Sequence, residues 1–107
     1  MILVHQRYFA KPDLRDRVLE TRVEASRRLA ALGVPAGKIW VPVRGHVGIN
    51  DAGLPDVIWE CGYDSLEERE RIRARQEGDP AFAAIRTHQG TQLDRWAREH
   101  YQLLDWK

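Results

Sequence analysis

Residues 2–10, ILVHQRYFA, have the β-branched and aromatic content of a strand, yet neither face of that strand is cleanly polar. In an extended chain alternate side chains point to opposite sides. Leu3, His5, Arg7 and Phe9 therefore share one face, and Ile2, Val4, Gln6 and Tyr8 the other. Such a strand needs cover on both sides, which is unusual for an antiparallel sheet in a small domain. Whatever the rest of the chain builds must supply two coverings.

Lys11-Pro12 ends this strand, and Asp13 is placed to cap a helix. Leu14, Val18, Thr21, Ala25, Leu29 and Leu32 recur at helical spacing, with Arg and Glu between them, until Gly33 and Pro35 stop the run. Residues 38–44, KIWVPVR, read as a second strand. Pro42 has no N–H for a ladder bond, so this strand belongs at a sheet edge. Residues 45–55 carry three glycines and the Asn50-Asp51 pair, the marks of a long hairpin loop. Residues 56–63, DVIWECGY, form a third strand, with Val57, Trp59, Cys61 and Tyr63 on one face and Ile58, Glu60 and Gly62 on the other.

Ser65 and Glu68 then form a capping box, in which hydroxyl and carboxylate satisfy free backbone amides at a helix start. Between residues 65 and 77 only Leu66, Ile72 and Ala74 are apolar, so this helix is expected to be mostly solvated, supported by pairs such as Glu67 with Arg71. Gly78 ends it. Asp79 caps a new helix and Pro80 occupies its first turn, where a missing N–H costs nothing. Phe82, Ile85, Gln89, Leu93 and Trp96 give the restarted helix an inward stripe, with Gly90 as a kink point. Residues 100–106, HYQLLDW, read as a last short strand.

The order strand, helix, strand, strand, broken helix, strand fits an α+β fold: a ferredoxin-like four-stranded antiparallel sheet with helices on one face, as one domain over residues 1–107. The first and third strands are central in that topology and the second is an edge. Helices cover one face only. A second copy packed sheet to sheet is the simplest cover for the other, which predicts a homodimer in the form of a dimeric α/β barrel.

Composition narrows the function classes. The chain is 43% hydrophobic and 31% charged with a net charge of +1, an ordinary soluble composition that provides no bulk field for nucleic acid or membrane. Its apolar runs are far shorter than the ~18 residues of a membrane span, and MILVHQRYF is too short and too early in polar residues for a signal peptide. A cytoplasmic location is expected. The single cysteine, Cys61, excludes an internal disulfide and a multi-cysteine metal site and reads as a buried thiol. His46 with Asp51 lacks a third ligand at defined spacing, so no metal site is assigned. No phosphate-binding glycine motif occurs, and VIWECGY lacks the basic-Gly-aromatic pattern of RNA-recognition sheets.

Three segments carry a resemblance. MILVHQRYFAKPDLRDRVLE, YDSLEERERIRARQEGDPAF and YQLLDW together resemble NIPSNAP-type domains, the Ser-Leu-Glu-Glu-Arg opening and Asp-Pro-Ala-Phe restart most specifically. The resemblance implies the dimeric α/β-barrel superfamily, a homodimer, and a pocket between sheet and helices or within the barrel. Relatives in that superfamily include cofactor-free oxygenases, heme-degrading monooxygenases and small polyketide cyclases. This sequence departs from the cyclases, having Phe82 where their second histidine would align. It departs from the heme-degrading enzymes too, offering His5 or Gln6 in place of a first-strand Asn, Tyr63 in place of a Trp, and His88 only near the position of the helical His. No cofactor is expected.

Within that frame His5, Arg7 and Glu60 are the catalytic candidates. An imidazole and a guanidinium two residues apart on a central strand can bind and protonate an enolate or phenolate, and a buried Glu60 can act as a base or pair with an arginine. Tyr8, Trp59, Tyr63, His88 and Trp96 are the substrate-binding candidates. These residues suggest a small cofactor-independent enzyme of oxygenase, isomerase or cyclase type acting on a hydrophobic or aromatic metabolite. The alternative is a non-catalytic small-molecule-binding or protein-interaction module on the same dimeric fold.

Overall fold

The computed structural model describes residues 1–45 and 51–107. It contains β1 (Ile2–Ala10), α1 (Arg15–Ala31), β2 (Lys38–Trp40), a single 3-10 turn (Asp51–Gly53), β3 (Val57–Tyr63), α2 (Leu66–Glu77), α3 (Pro80–Thr91) and β4 (Leu93–Gln102). The four strands form one antiparallel sheet in the order β2-β3-β1-β4. This is the α+β ferredoxin-like arrangement, with β1 and β3 central and β2 at an edge. No helix among the described residues is long and apolar enough to cross a membrane.

The helices pack on one face of the sheet. Val4 and Tyr8 from β1 and Val57, Trp59, Cys61 and Tyr63 from β3 are buried beneath Val18, Ala25 and Leu29 of α1 and Phe82 of α3. The period-2 alternation of β3 thus selects the helix-covered face, as its sequence requires. Leu3, His5, Arg7 and Phe9 point to the opposite, outer face with Ile58 and Glu60, and all six are half-buried in the single chain.

Four local expectations are corrected. Asp13 does not cap α1: it sits at a left-handed φ of 65°, which a short polar residue tolerates, and Leu14 takes the cap position without a side-chain bond. The second strand ends at Trp40, so Pro42 lies beyond the ladder rather than inside it, where its missing donor would interrupt pairing. The last strand spans Leu93–Gln102, not residues 100–106. Leu93 and Trp96 accordingly belong to β4 and not to the last helix, because α3 stops at Thr91 and nine residues of β4 pair along β1. His46 and residues 47–50 of the glycine-rich loop lie outside the described residues. The ends of that loop are tied together, with the Gly45 amide donating to Asp51 Oδ2 at 2.9 Å.

The helix break forms as expected. Ser65 Oγ accepts from the Glu68 amide at 3.1 Å, while the Glu68 carboxylate accepts from the Asp64 amide at 2.8 Å, one residue earlier than the ideal capping box. Asp79 accepts from the Phe82 amide at 2.9 Å and Pro80 follows it in the first turn. Asp79 also receives both arms of Arg28 at 2.8 and 2.7 Å, fastening the restart to the end of α1.

Candidate functional site

A cavity of about 150 Å³ lies between the helix-covered face of the sheet and the three helices. Each element contributes by its register. Gln6 and Tyr8 project from β1, Trp59 and Tyr63 from β3, and Trp96 and Arg98 from β4, all on the same side because Gln6 pairs with Trp59 and Arg98 and Tyr8 pairs with Trp96. Trp59 is pinned from behind. Its indole N–H donates to the Ala36 carbonyl at 2.8 Å, and the neighbouring Gly37, at φ 74°, leaves room for the ring. A Cβ on Gly37 would stand 2.7 Å from the Glu60 carbonyl oxygen and from the indole Cε2, so only glycine fits.

The polar part of the cavity is cationic. Arg22, Arg69, Arg73, Arg86 and Arg98 line it, and among the described residues no Asp, Glu or His does. Arg22 and Arg69 are each only 5% exposed. Arg22 donates to the Tyr8 hydroxyl at 3.3 Å and to Ser26 Oγ at 3.2 Å, and its guanidinium carbon lies 4.8 Å from the Trp59 ring centroid. Gln6 donates its amide N–H to the Tyr8 hydroxyl and accepts from Arg98 Nε and Nη2 at 3.1 Å when its amide is oriented to satisfy these neighbours. The Nε atoms of Arg22 and Arg69 are buried without a hydrogen-bond partner among the described residues. Burial, followed by the like charges of Arg69, Arg73 and Arg86, pulls the Arg98 guanidinium below its ordinary pKa. Burial pushes the Tyr63 phenol far above its usual range and also raises the Cys61 thiol, so both stay protonated near neutral pH.

The expected site divides between the two faces of the sheet. Tyr8, Trp59, Tyr63 and Trp96 all line the cavity. His5, Arg7 and Glu60 stand on the outer face, away from it. There His5 Nε2 and Glu60 Oε2 are 2.8 Å apart across the β1–β3 pairing, His5 meets Tyr101 edge to face at 5.3 Å, and Arg7 lies 5.8 Å from the centre of Phe9. The pairing of Glu60 is with the imidazole rather than with Arg7. His88 is exposed near the end of α3 and approaches Gln92 at 3.2 Å, outside the cavity lining. Among the described residues no three His, Cys, Asp or Glu side chains gather as metal ligands would.

Sequence reasoning missed the arginines. Arg22 falls four residues after Val18 and three before Ala25, on the buried stripe of α1, and that position is its signal. The inward face of α2 carries Arg69, Arg73 and Gln76, so the helix with so few apolar residues is not simply solvated.

No protein-family profile and no curated protein matches the chain in sequence. Solved structures match in fold. The chain is similar to a NIPSNAP family protein from Agrobacterium tumefaciens, with 18% identity over 99% of this chain and 88% of that one and a TM-score of 0.72. A NIPSNAP domain protein from Burkholderia xenovorans matches at 14% identity, 100% and 98% coverage and a TM-score of 0.71. A dimeric ferredoxin-like protein from Thermobifida fusca matches at 17% identity, 95% and 90% coverage and a TM-score of 0.63. The fold expected from the sequence is the fold these proteins share.

Proposed function

We propose that this chain is a NIPSNAP-like homodimer that binds a small aromatic or hydrophobic molecule in the cavity between sheet and helices. The observation that carries the reading is the cavity itself. A volume of about 150 Å³ lies against buried Trp59, Phe82 and Leu93, with exposed Trp96 at its border. Spaces of this size are few in close-packed proteins, and this one combines an aromatic wall with polar groups, as small-molecule sites do.

Binding is favoured over acid–base catalysis by the lining. No carboxylate or imidazole reaches the cavity from the described residues, and Tyr63 is held protonated, so a general base for a cyclase or isomerase is lacking on this side of the sheet. The second reading is a cofactor-independent enzyme. It is supported by the guanidinium of Arg22 on the Tyr8 hydroxyl, which supplies positive charge beside a proton-bearing group where an enolate or phenolate could be stabilised.

The homodimer reading rests on the outer face, whose His5–Glu60 pair and half-buried Leu3, Phe9 and Ile58 lack a covering layer in the single chain, and on a structural neighbour described as dimeric. Titration with indole and benzyl alcohol, followed by backbone amide NMR, tests the cavity. Shifts confined to its lining, and lost in Ala25→Leu, are expected, because Ala25 borders the void and a larger side chain fills it. Shifts that map to the outer face instead would refute the assignment.

A further inference from the structure

Five arginines border a cavity that no carboxylate of the described residues lines. Their counter-charges lie elsewhere: Glu70 meets Arg69 at 3.0 Å and Arg73 at 3.9 Å, while Glu77 meets Arg73 at 3.0 Å and Arg86 at 3.8 Å, all from the exposed side of α2. Two carboxylates thus serve three guanidinium groups. Arg22 and Arg98 have no carboxylate partner among the described residues; Arg22 bonds only to the hydroxyls of Tyr8 and Ser26, and Arg98 only to the Gln6 amide. Burying a cation without a counter-charge is among the costliest things a fold can do.

The unmet donors sharpen this. Arg22 and Arg69, both nine-tenths buried or more, keep an Nε–H with no partner among the described residues. The planar guanidinium matches a carboxylate, donating two parallel N–H bonds to its oxygens. Apart from Gln6, Gln76 and Gln89 the remaining lining is apolar or aromatic, with Trp59 and Phe82 contributed by sheet and helix.

We propose that the molecule held in this cavity is a carboxylate: an aromatic or short aliphatic acid whose carboxylate lies among Arg22, Arg69 and Arg98 beside the Tyr8 hydroxyl, with its hydrocarbon body against Trp59 and Phe82. This assignment rests on the small-molecule reading of the same cavity and adds the charge of the ligand. A carboxylate completes the donors left free on Arg22 and Arg69 and neutralises part of the unpaired positive charge. A neutral molecule of the same shape does neither.

The test compares benzoate, cinnamate and hexanoate with their neutral amides by isothermal titration calorimetry on the wild-type protein and on Arg22→Gln and Arg98→Gln. The acids are expected to bind at least about tenfold more tightly than the amides, a difference of about 1.4 kcal/mol. The preference should shrink in both variants, and both should retain a cooperative thermal melt. Arg98→Gln lies on the edge strand, so it reads the charge even where Arg22→Gln disturbs the core. Acids and amides that bind equally would overturn the carboxylate assignment and leave the small-molecule reading standing. Failure of every acid and every amide to bind would overturn both.

Discussion

Arg22 lies over Trp59: the guanidinium carbon is 4.8 Å from the centre of the indole ring, in a place where Arg22 is only 5% exposed and its Nε has no hydrogen-bond partner. The stacking recovers part of the cost of burial through the ring quadrupole, of the order of 2 kcal/mol when desolvated. It does not supply a counter-charge. The residue is thus held at a deficit that a ligand removes.

Arg22→Met should therefore stabilise the free protein and weaken it as a binder. Replacing a poorly paired buried charge with a volume-matched apolar side chain commonly gains about 1 kcal/mol or more, which shifts Tm by roughly 4–8 °C in a domain of about this size. Differential scanning calorimetry checks the first half and benzoate titration the second. A lower Tm with unchanged binding would show that Arg22 is there for structure alone.

Gly37→Ala should damage the cavity from behind. The added methyl would lie 2.7 Å from the Glu60 carbonyl, and it would force φ 74° on a residue that disfavours it. A loss of about 1–3 kcal/mol is expected from strain of this kind. The indole must also swing away from the Ala36 carbonyl, so tryptophan fluorescence should shift along with urea-induced unfolding. A variant with the wild-type spectrum and midpoint would contradict the close packing of Gly37 on Trp59.

Stability should fall in strong acid through Asp79. The two bonds from Arg28 are the largest influence on its carboxyl, holding the pKa at about 2, below the ordinary 3.8. A group whose folded pKa is depressed adds stability above its unfolded value, and that contribution is lost as the pH falls. The Arg28–Asp79 contribution should hence be complete above about pH 4 and fade toward about pH 2. Asp79→Ala should lower Tm at neutral pH by removing the Phe82 cap and the Arg28 partner together, and the gap to wild type should narrow in acid. An equal gap at every pH would separate the effect from the carboxylate.

Light scattering should give about twice the 12.4 kDa of one chain at micromolar concentration. Glu60→Arg takes away the acceptor that His5 faces at 2.8 Å and places a cation on the outer face. The variant is expected to dissociate toward the mass of one chain while the tryptophan spectrum of the cavity is kept. A wild-type mass of 12.4 kDa throughout would end the homodimer reading.

The sheet and its centre were legible because the order of strands and helices fits the ferredoxin-like arrangement, in which the first and third strands are central. The break at Asp79-Pro80 was legible because its capping chemistry is local. β4 was not. Leu93 and Trp96 stand four and seven residues beyond Gln89 and satisfy a helical repeat, while Trp96, Arg98 and His100 satisfy a strand repeat as well, and the pairing of nine residues with distant β1 decides between them. The same nonlocality divided the candidate site. His5 and Glu60 could be placed on facing positions of adjacent strands, but which side the helices would cover depends on packing, and they cover the side of Tyr8 and Trp59. The arginines escaped notice because a charged residue on a helix is ordinarily read as solvated.

Helix α2 has almost no grease to hold it down. Its inward face is Arg69, Arg73 and Gln76, Leu66 and Ala74 are exposed, and Ile72 is only half-buried. Its first turn is capped locally by Ser65, and it is tied to the rest of the fold by buried Arg69 and, near its last turn, by Arg75, which donates to the Leu32 carbonyl at 2.7 Å. A segment with few buried apolar contacts sits at the low end of local stability. Of the walls around the cavity, this one should breathe first. Its amides should exchange hydrogen for deuterium sooner than those of α1, which buries Val18, Ala25 and Leu29. The traffic of molecules in and out of the void would then pass under a charged helix.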